Sequence, residues 1–108
     1  MPVQVGVKKP RRSAVFTRLE KNLPELRERY GIRRIGIFGS FARGDAKRTS
    51  DVDVLVEFRQ GQATFDNFME LVCHLEDLFH RNVDLLTVPG IDKYLRPRIE
   101  SEVVWIEE

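Results

Sequence analysis

A chain of 108 residues is long enough to bury one hydrophobic core and leaves little room for a second. With 42% hydrophobic residues, 32% charged residues and a net charge of +1, it has the balance of an ordinary globular domain and gives no argument for bulk binding to nucleic acid. One cysteine, Cys73, excludes an intrachain disulfide, and no apolar run approaches the roughly eighteen residues of a membrane span. The opening M-P-V-Q-V-G-V-K-K-P lacks the apolar core and cleavage site of a signal peptide, so a reducing, cytoplasmic location is expected.

Residues 1–12 read as a basic flexible arm, with two prolines and Lys8, Lys9, Arg11 and Arg12 but no helical period. Residues 13–108 read as a single domain. From Ser13, a candidate N-cap, the apolar residues Phe16, Leu19, Leu23, Leu26 and Tyr30 recur at three- and four-residue steps, the core-facing stripe of a helix. Pro24 interrupts that stripe and predicts a kink or two short helices, with Gly31 as the stop. Ile35 to Phe38 reads as a short buried strand, Gly39-Ser40 as its turn, and Phe41-Ala42-Arg43 as a helix start cut short by Gly44. After the polar loop Asp45–Ser50 comes a second strand, Val52 to Phe58, with Val52, Val54 and Val56 on one face. Phe65, Phe68, Leu71, Val72, Leu75, Leu78 and Phe79 mark a second amphipathic helix, capped by Thr64 or Asp66. Asn82 to Val88 reads as a third strand, the region around Tyr94–Ser101 as a short helix and Val103–Ile106 as a fourth strand, with Trp105 in the core. The expected fold is α/β (α+β), a small mixed sheet of about four strands flanked by helices, its first two strands antiparallel because their connection is short for a crossover.

Three places carry chemistry. At Gly39-Ser40, a glycine lets backbone approach a ligand closely, and N–H groups at a helix start favour an anion; the serine hydroxyl adds one more bond. By itself such a dipeptide more often just turns the chain. Asp51 and Asp53, one residue apart, share a strand face, where two carboxylates repel each other unless a cation holds them. Mg²⁺ takes one or two such carboxylates together with phosphate oxygens, whereas the plainer reading is an acidic strand start in water. Asp84 stands inside the apolar V-D-L-L-T-V, and if that strand lies beside the second, it completes a three-carboxylate cluster. Arg43 is placed to reach a phosphate or to pin the loop through Asp45 or Asp51, Lys47 and Arg48 read as solvated surface, and Ser50 is placed to orient the acid pair. Neither His74 nor His80 has the partner spacing of a zinc site, and Cys73 reads as a small helix residue rather than a nucleophile.

G-S-F-A-R-G-D, followed after four residues by S-D-V-D, closely resembles the signature of the nucleotidyltransferase superfamily that includes DNA polymerase β, and over Ile32 to about Val88 it looks most like the minimal nucleotidyltransferases. These stand alone as domains and are often the antitoxin partners of HEPN-domain toxins. The resemblance implies a polymerase-β-like fold and a Mg²⁺-dependent enzyme of the EC 2.7.7 type that moves AMP from ATP to a hydroxyl. That hydroxyl would be a tyrosine of a partner HEPN toxin, in a hetero-oligomer, as a type VII-like antitoxin. Gly39 and Ser40 would hold the β- and γ-phosphates, with Arg43 as a further nucleotide contact. Asp51, Asp53 and Asp84 would be the catalytic carboxylates and the ligands of two Mg²⁺ ions. The family members that act on tRNA or antibiotics carry extra domains for their acceptor, so an acceptor that is itself a folded protein is expected here. The alternative is a catalytically idle antitoxin that binds and occludes its toxin, using residues such as Tyr94 and Trp105. A nucleic-acid-binding domain using the basic arm is disfavoured by the near-zero net charge.

Overall fold

The computed structural model describes residues 13–107, so the basic arm of residues 1–12 lies outside the described residues. Helix α1 spans Ala14–Tyr30, strand β1 Ile32–Phe38, the five-residue helix α2 Gly39–Arg43, and strand β2 Val52–Phe58. Helix α3 (Phe65–Phe79), strand β3 (Val83–Thr87), a single 3₁₀ turn at Val88–Gly90, helix α4 (Arg96–Glu102) and the two-residue strand β4 (Val104–Trp105) complete the order.

The sheet runs β3-β2-β1-β4. β1 pairs antiparallel with β2 and with β4, while β2 and β3 are parallel, with α3 as their crossover. The expected mixed four-stranded sheet and the antiparallel first pair are both present.

Strand alternation sorts the sheet into two faces. On one, Ile35, Ile37, Val52, Val54 and Val56 are fully enclosed together with Leu19, Leu23 and Leu26 of α1 and Leu71 and Leu75 of α3. This is the principal core. On the other face a smaller cluster of Phe38, Leu55, Ile91 and Ile99 is covered by the chain around α4 and leaves the upper part of β2 and β3 open. Trp105 packs at the edge of this second cluster, half-buried rather than in the core, with the Arg34 guanidinium 3.9 Å above its ring.

Pro24 neither kinks α1 into two helices nor ends it: one helix of 17 residues runs through it. The proline and Glu20, whose carbonyl loses its partner, both face solvent, where water replaces the missing bond. The buried stripe on the opposite side continues past them, and Gly31 ends the helix in the left-handed conformation. Pro24→Ala restores an N–H without touching the core and should stabilise the fold by about 2 kcal/mol, the helix-interior cost of proline less its restraint of the unfolded chain; urea unfolding checks the gain.

Ser13 occupies the N-cap position of α1, but its hydroxyl makes no capping bond; its carbonyl accepts the amides of Phe16 and Thr17 instead. At α3 the cap is the expected one, with Thr64 Oγ1 accepting the Asn67 amide at 3.1 Å.

Candidate active site

The open part of the second sheet face is the floor of a cleft of about 640 Å³, within the size range of ligand sites. β2 and β3 bring Asp53 and Asp84 into direct register across a parallel pair, and Asp51, just before β2, joins them along the same wall. The turn between β1 and α2 forms the facing rim with Gly39, Ser40 and Arg43. All six residues singled out from the sequence line this one cleft.

The reason lies in strand periodicity. Val52, Val54 and Val56 fill the core face, which forces Asp53 and Leu55 onto the opposite one; Val83 and Leu85 do the same for Asp84 and Leu86. Asp84 is therefore not a carboxylate enclosed in a sheet interior. β3 is an edge strand, and the face that carries Asp84 is open to the cleft, so its side chain is exposed.

Gly39 has φ of +73°, a conformation that side chains disfavour, and a Cβ built there would fall on the Asp53 carboxylate. The turn thus rests directly against the acid. Burial pushes the Asp53 carboxyl above its usual range; the neighbouring charges of Asp84 and then Asp51, and a hydrogen bond shared with Asp84, push the same way, with Arg43 opposing them. A half-buried acid with two like charges beside it is a group that a cation would relieve.

Among the described residues no three acidic, histidine or cysteine side chains close into a ready-made ion cage, so the three-carboxylate cluster is looser than the sequence suggested. Mg²⁺ generally takes only one or two protein carboxylates and completes its octahedron with water and substrate phosphate oxygens. The donor set of Asp53, Asp84 and Asp51 fits a cation that arrives with a nucleotide.

Arg43 makes more contacts than the sequence suggested. Its Nε donates to Asp45 Oδ2 at 3.3 Å, and its Nη1 donates to the Glu102 carboxylate at 3.2 and 3.3 Å. Asp45 above all, with Glu102, strengthens its hold on the proton. Glu102, from the end of α4, also accepts the Gly39 amide at 3.2 Å. Burial raises its carboxyl, but bonds from Arg98 and the Gly39 amide together with the Arg43 charge outweigh this and hold it below the usual range. Nothing in the sequence around E-S-E-V-V marked Glu102, because both of its partners at the turn lie about sixty residues away.

Ser50 does not orient the acid pair. Its Oγ accepts the Lys47 amide at 2.8 Å and closes the loop that leads to Asp51. The same loop is stapled by Arg81, which donates to the carbonyls of Arg48 at 2.8 Å and Ser50 at 2.9 Å and lies over the Phe41 ring. Lys47 and Arg48 are exposed and outside the cleft, as expected. His74 Nδ1 pairs with the Tyr30 hydroxyl at 2.9 Å between α1 and α3, and His80 ends α3 and borders a separate groove with Asp51 and Arg81, so neither lines the cleft itself.

A four-stranded mixed sheet with helices on its faces and a Gly-Ser turn set against a row of carboxylates is the architecture of a minimal nucleotidyltransferase. Residues 19–106 match the nucleotidyltransferase domain model, and the chain belongs to that family. It is 43% identical over 82 residues, covering 76% of this chain and 82% of the relative, to the protein adenylyltransferase MntA of Thermococcus cleftensis. A solved candidate minimal nucleotidyltransferase superposes with a TM-score of 0.72 at 32% identity, covering 84% of this chain and 92% of the other. The fold also matches, with a TM-score of 0.60 at 17% identity and coverage of 83% and 70%, a chain from the complex of tri-AMPylated Shewanella oneidensis HEPN toxin with its MNT antitoxin.

Proposed function

We propose that this chain is a Mg²⁺-dependent protein adenylyltransferase that moves AMP from ATP to a hydroxyl, a tyrosine of a HEPN-domain toxin, and thereby acts as the antitoxin of that partner. The observation that carries this reading is the pairing of Asp53 with Asp84 across β2 and β3, directly beneath the Gly39-Ser40 turn. The relative's name, adenylyltransferase, and the AMP-bearing toxin in the Shewanella oneidensis complex support the choice of AMP and of a protein acceptor.

In this mechanism the Gly39-Ser40 turn and Arg43 hold the β- and γ-phosphates, which fixes the α-phosphorus over the acids. Asp51, Asp53 and Asp84 would hold two Mg²⁺ ions, whose chemistry is to neutralise phosphate charge and acidify the incoming hydroxyl. Asp84, an exposed residue of the cleft lining, would take the hydroxyl proton. The acceptor oxygen forms a bond to the α-phosphorus as the bond from that phosphorus to the bridging oxygen of pyrophosphate breaks in line. AMP ends on the acceptor and pyrophosphate leaves. Most of the rate enhancement would come from positioning and charge stabilisation.

Incubation with α-labelled ATP, Mg²⁺ and the product of the neighbouring reading frame tests this. Label is expected on the partner and should be absent with Asp51→Asn plus Asp53→Asn. If that double variant still neutralises the toxin fully and no label ever appears with the native chain, the protein acts by occlusion and the enzymatic reading fails.

A further inference from the structure

Glu102 is the last residue of α4, far in sequence from the turn it touches, and its carboxylate ties α4 to both ends of α2 in the cleft wall. Oε1 accepts the Gly39 amide at 3.2 Å and Arg43 Nη1 at 3.3 Å; Oε2 accepts Arg43 Nη1 at 3.2 Å and Arg98 Nε at 3.3 Å. We infer that Glu102 is a positioning residue of the nucleotide site, bracing both ends of α2 so that the Gly39-Ser40 turn and the Arg43 guanidinium face the acids. This rests on the nucleotide-transfer reading above.

The need for a brace follows from α2 itself. Five residues make little more than one turn, far below the length at which a helix holds itself together in water. Its first residue is a glycine in a left-handed conformation, and its last is followed by another, Gly44, so neither flank supplies stiffness. Glu102 binds the backbone at the first position and the side chain at the last, with charge-assisted bonds that are stronger than neutral ones.

The Glu102 side chain is only 18% exposed and its bond from the Gly39 amide is part-buried, while Arg43 at 41% and Arg98 at 69% exposure meet the carboxylate from the solvent side. Because Gly39 lies directly on Asp53, fixing the Gly39 amide also fixes the spacing between the turn and the acid floor. The C-terminal helix is thereby part of the nucleotide site although it carries none of the family's signature residues.

A carboxylate that merely ties down the end of the chain predicts a different pattern from one that positions the turn. Glu102→Ala and Glu102→Gln in the full chain, compared with the native protein, separate the two. The readouts are amide hydrogen exchange without nucleotide, binding of Mg²⁺ with α,β-methylene-ATP by calorimetry, and the melting temperature. For Glu102→Ala, exchange in segment 39–44 should accelerate about tenfold while α1 and α3 keep their protection, and nucleotide affinity should fall about tenfold, the loss of a charged hydrogen-bond network. In Glu102→Gln the amide oxygen still accepts from Gly39, so exchange at the turn should stay near native, while affinity falls about threefold as Arg43 loses its charged partner.

Either variant binding nucleotide as tightly as the native chain, or more tightly, overturns the inference, the latter because Glu102 would then be competing with phosphate for the same donors. An affinity loss accompanied by faster exchange throughout α1 and α3 overturns it too, since Glu102 would then be a residue of the fold. A native chain that binds no nucleotide sinks the transfer reading instead, and the exchange measurement alone then decides whether Glu102 holds the turn.

Discussion

Asp53→Asn should abolish adenylyl transfer, by at least about a thousandfold, and yet raise the melting temperature in metal-free buffer at neutral pH. The loss of rate follows from removing a carboxylate that would hold the cation, where several kcal/mol of transition-state charge stabilisation are at stake. The gain in stability follows from the direction of its titration. Asp53 is held above the usual carboxylate range, first by burial and then by Asp84 and Asp51, so the folded chain binds its proton more tightly than the unfolded chain does. Such a group contributes stability at pH below the unfolded value of about 3.9, and the contribution is lost as pH rises through the higher folded value. At neutral pH the ionised acid therefore costs stability, and asparagine removes that cost. Thermal melts across about pH 3 to 7 should show the two proteins converging in acid and the variant ahead at neutrality. Addition of Mg²⁺ and nucleotide should raise the native melting temperature more than that of the variant. A large loss of stability in metal-free buffer would make Asp53 a structural residue and remove its catalytic assignment.

Gly39→Ala should also abolish transfer, but with the opposite effect on stability. Alanine at φ of +73° costs about 1–2 kcal/mol from backbone geometry alone. Its Cβ would also strike the Asp53 carboxylate, so the acid must turn away or the strand must shift, bringing the expected loss to about 2–4 kcal/mol. The clash predicts coupling between the two positions. With Asp53 shortened to alanine, the nearest Asp53 atom left is the Cβ at 3.3 Å, a tight but adjustable contact. Gly39→Ala should therefore cost about 1 kcal/mol less in an Asp53→Ala background than in the native one, a difference that a double-mutant cycle of urea unfolding measures. Additive effects would mean that the turn and the acid do not share space. These two variants together separate loss of activity from loss of fold: both inactivate, one with a firmer scaffold and one with a weaker one.

The local part of the site was readable because it is written in adjacent residues. Gly39-Ser40 followed by Asp51 and Asp53 needs only a strand, a turn and a strand to come together, and the alternation of Val52, Val54 and Val56 with Asp53 already assigns core and cleft faces. Asp84 stood out because it breaks an apolar run. The Pro24 expectation failed for the converse reason: local propensity argued for an interruption, while six buried side chains of α1 hold the helix together across it. Glu102 and Arg81 carry no local signal. Each is an ordinary charged residue in a polar context, and its role exists only because the sheet brings it to a turn or loop some thirty to sixty residues away.

By itself, then, the sequence determined the elements, the antiparallel first pair and the identity of the groups that could meet a phosphate and a cation, since these depend on periodicity and side-chain chemistry. Only the tertiary structure decided that β3 lies parallel beside β2, which puts Asp84 in register with Asp53, and that the Gly39 backbone rests on that acid. It also decided that α4 returns to brace the turn through Glu102. Those are long-range pairings, fixed by how two sheet faces are covered rather than by any spacing along the chain.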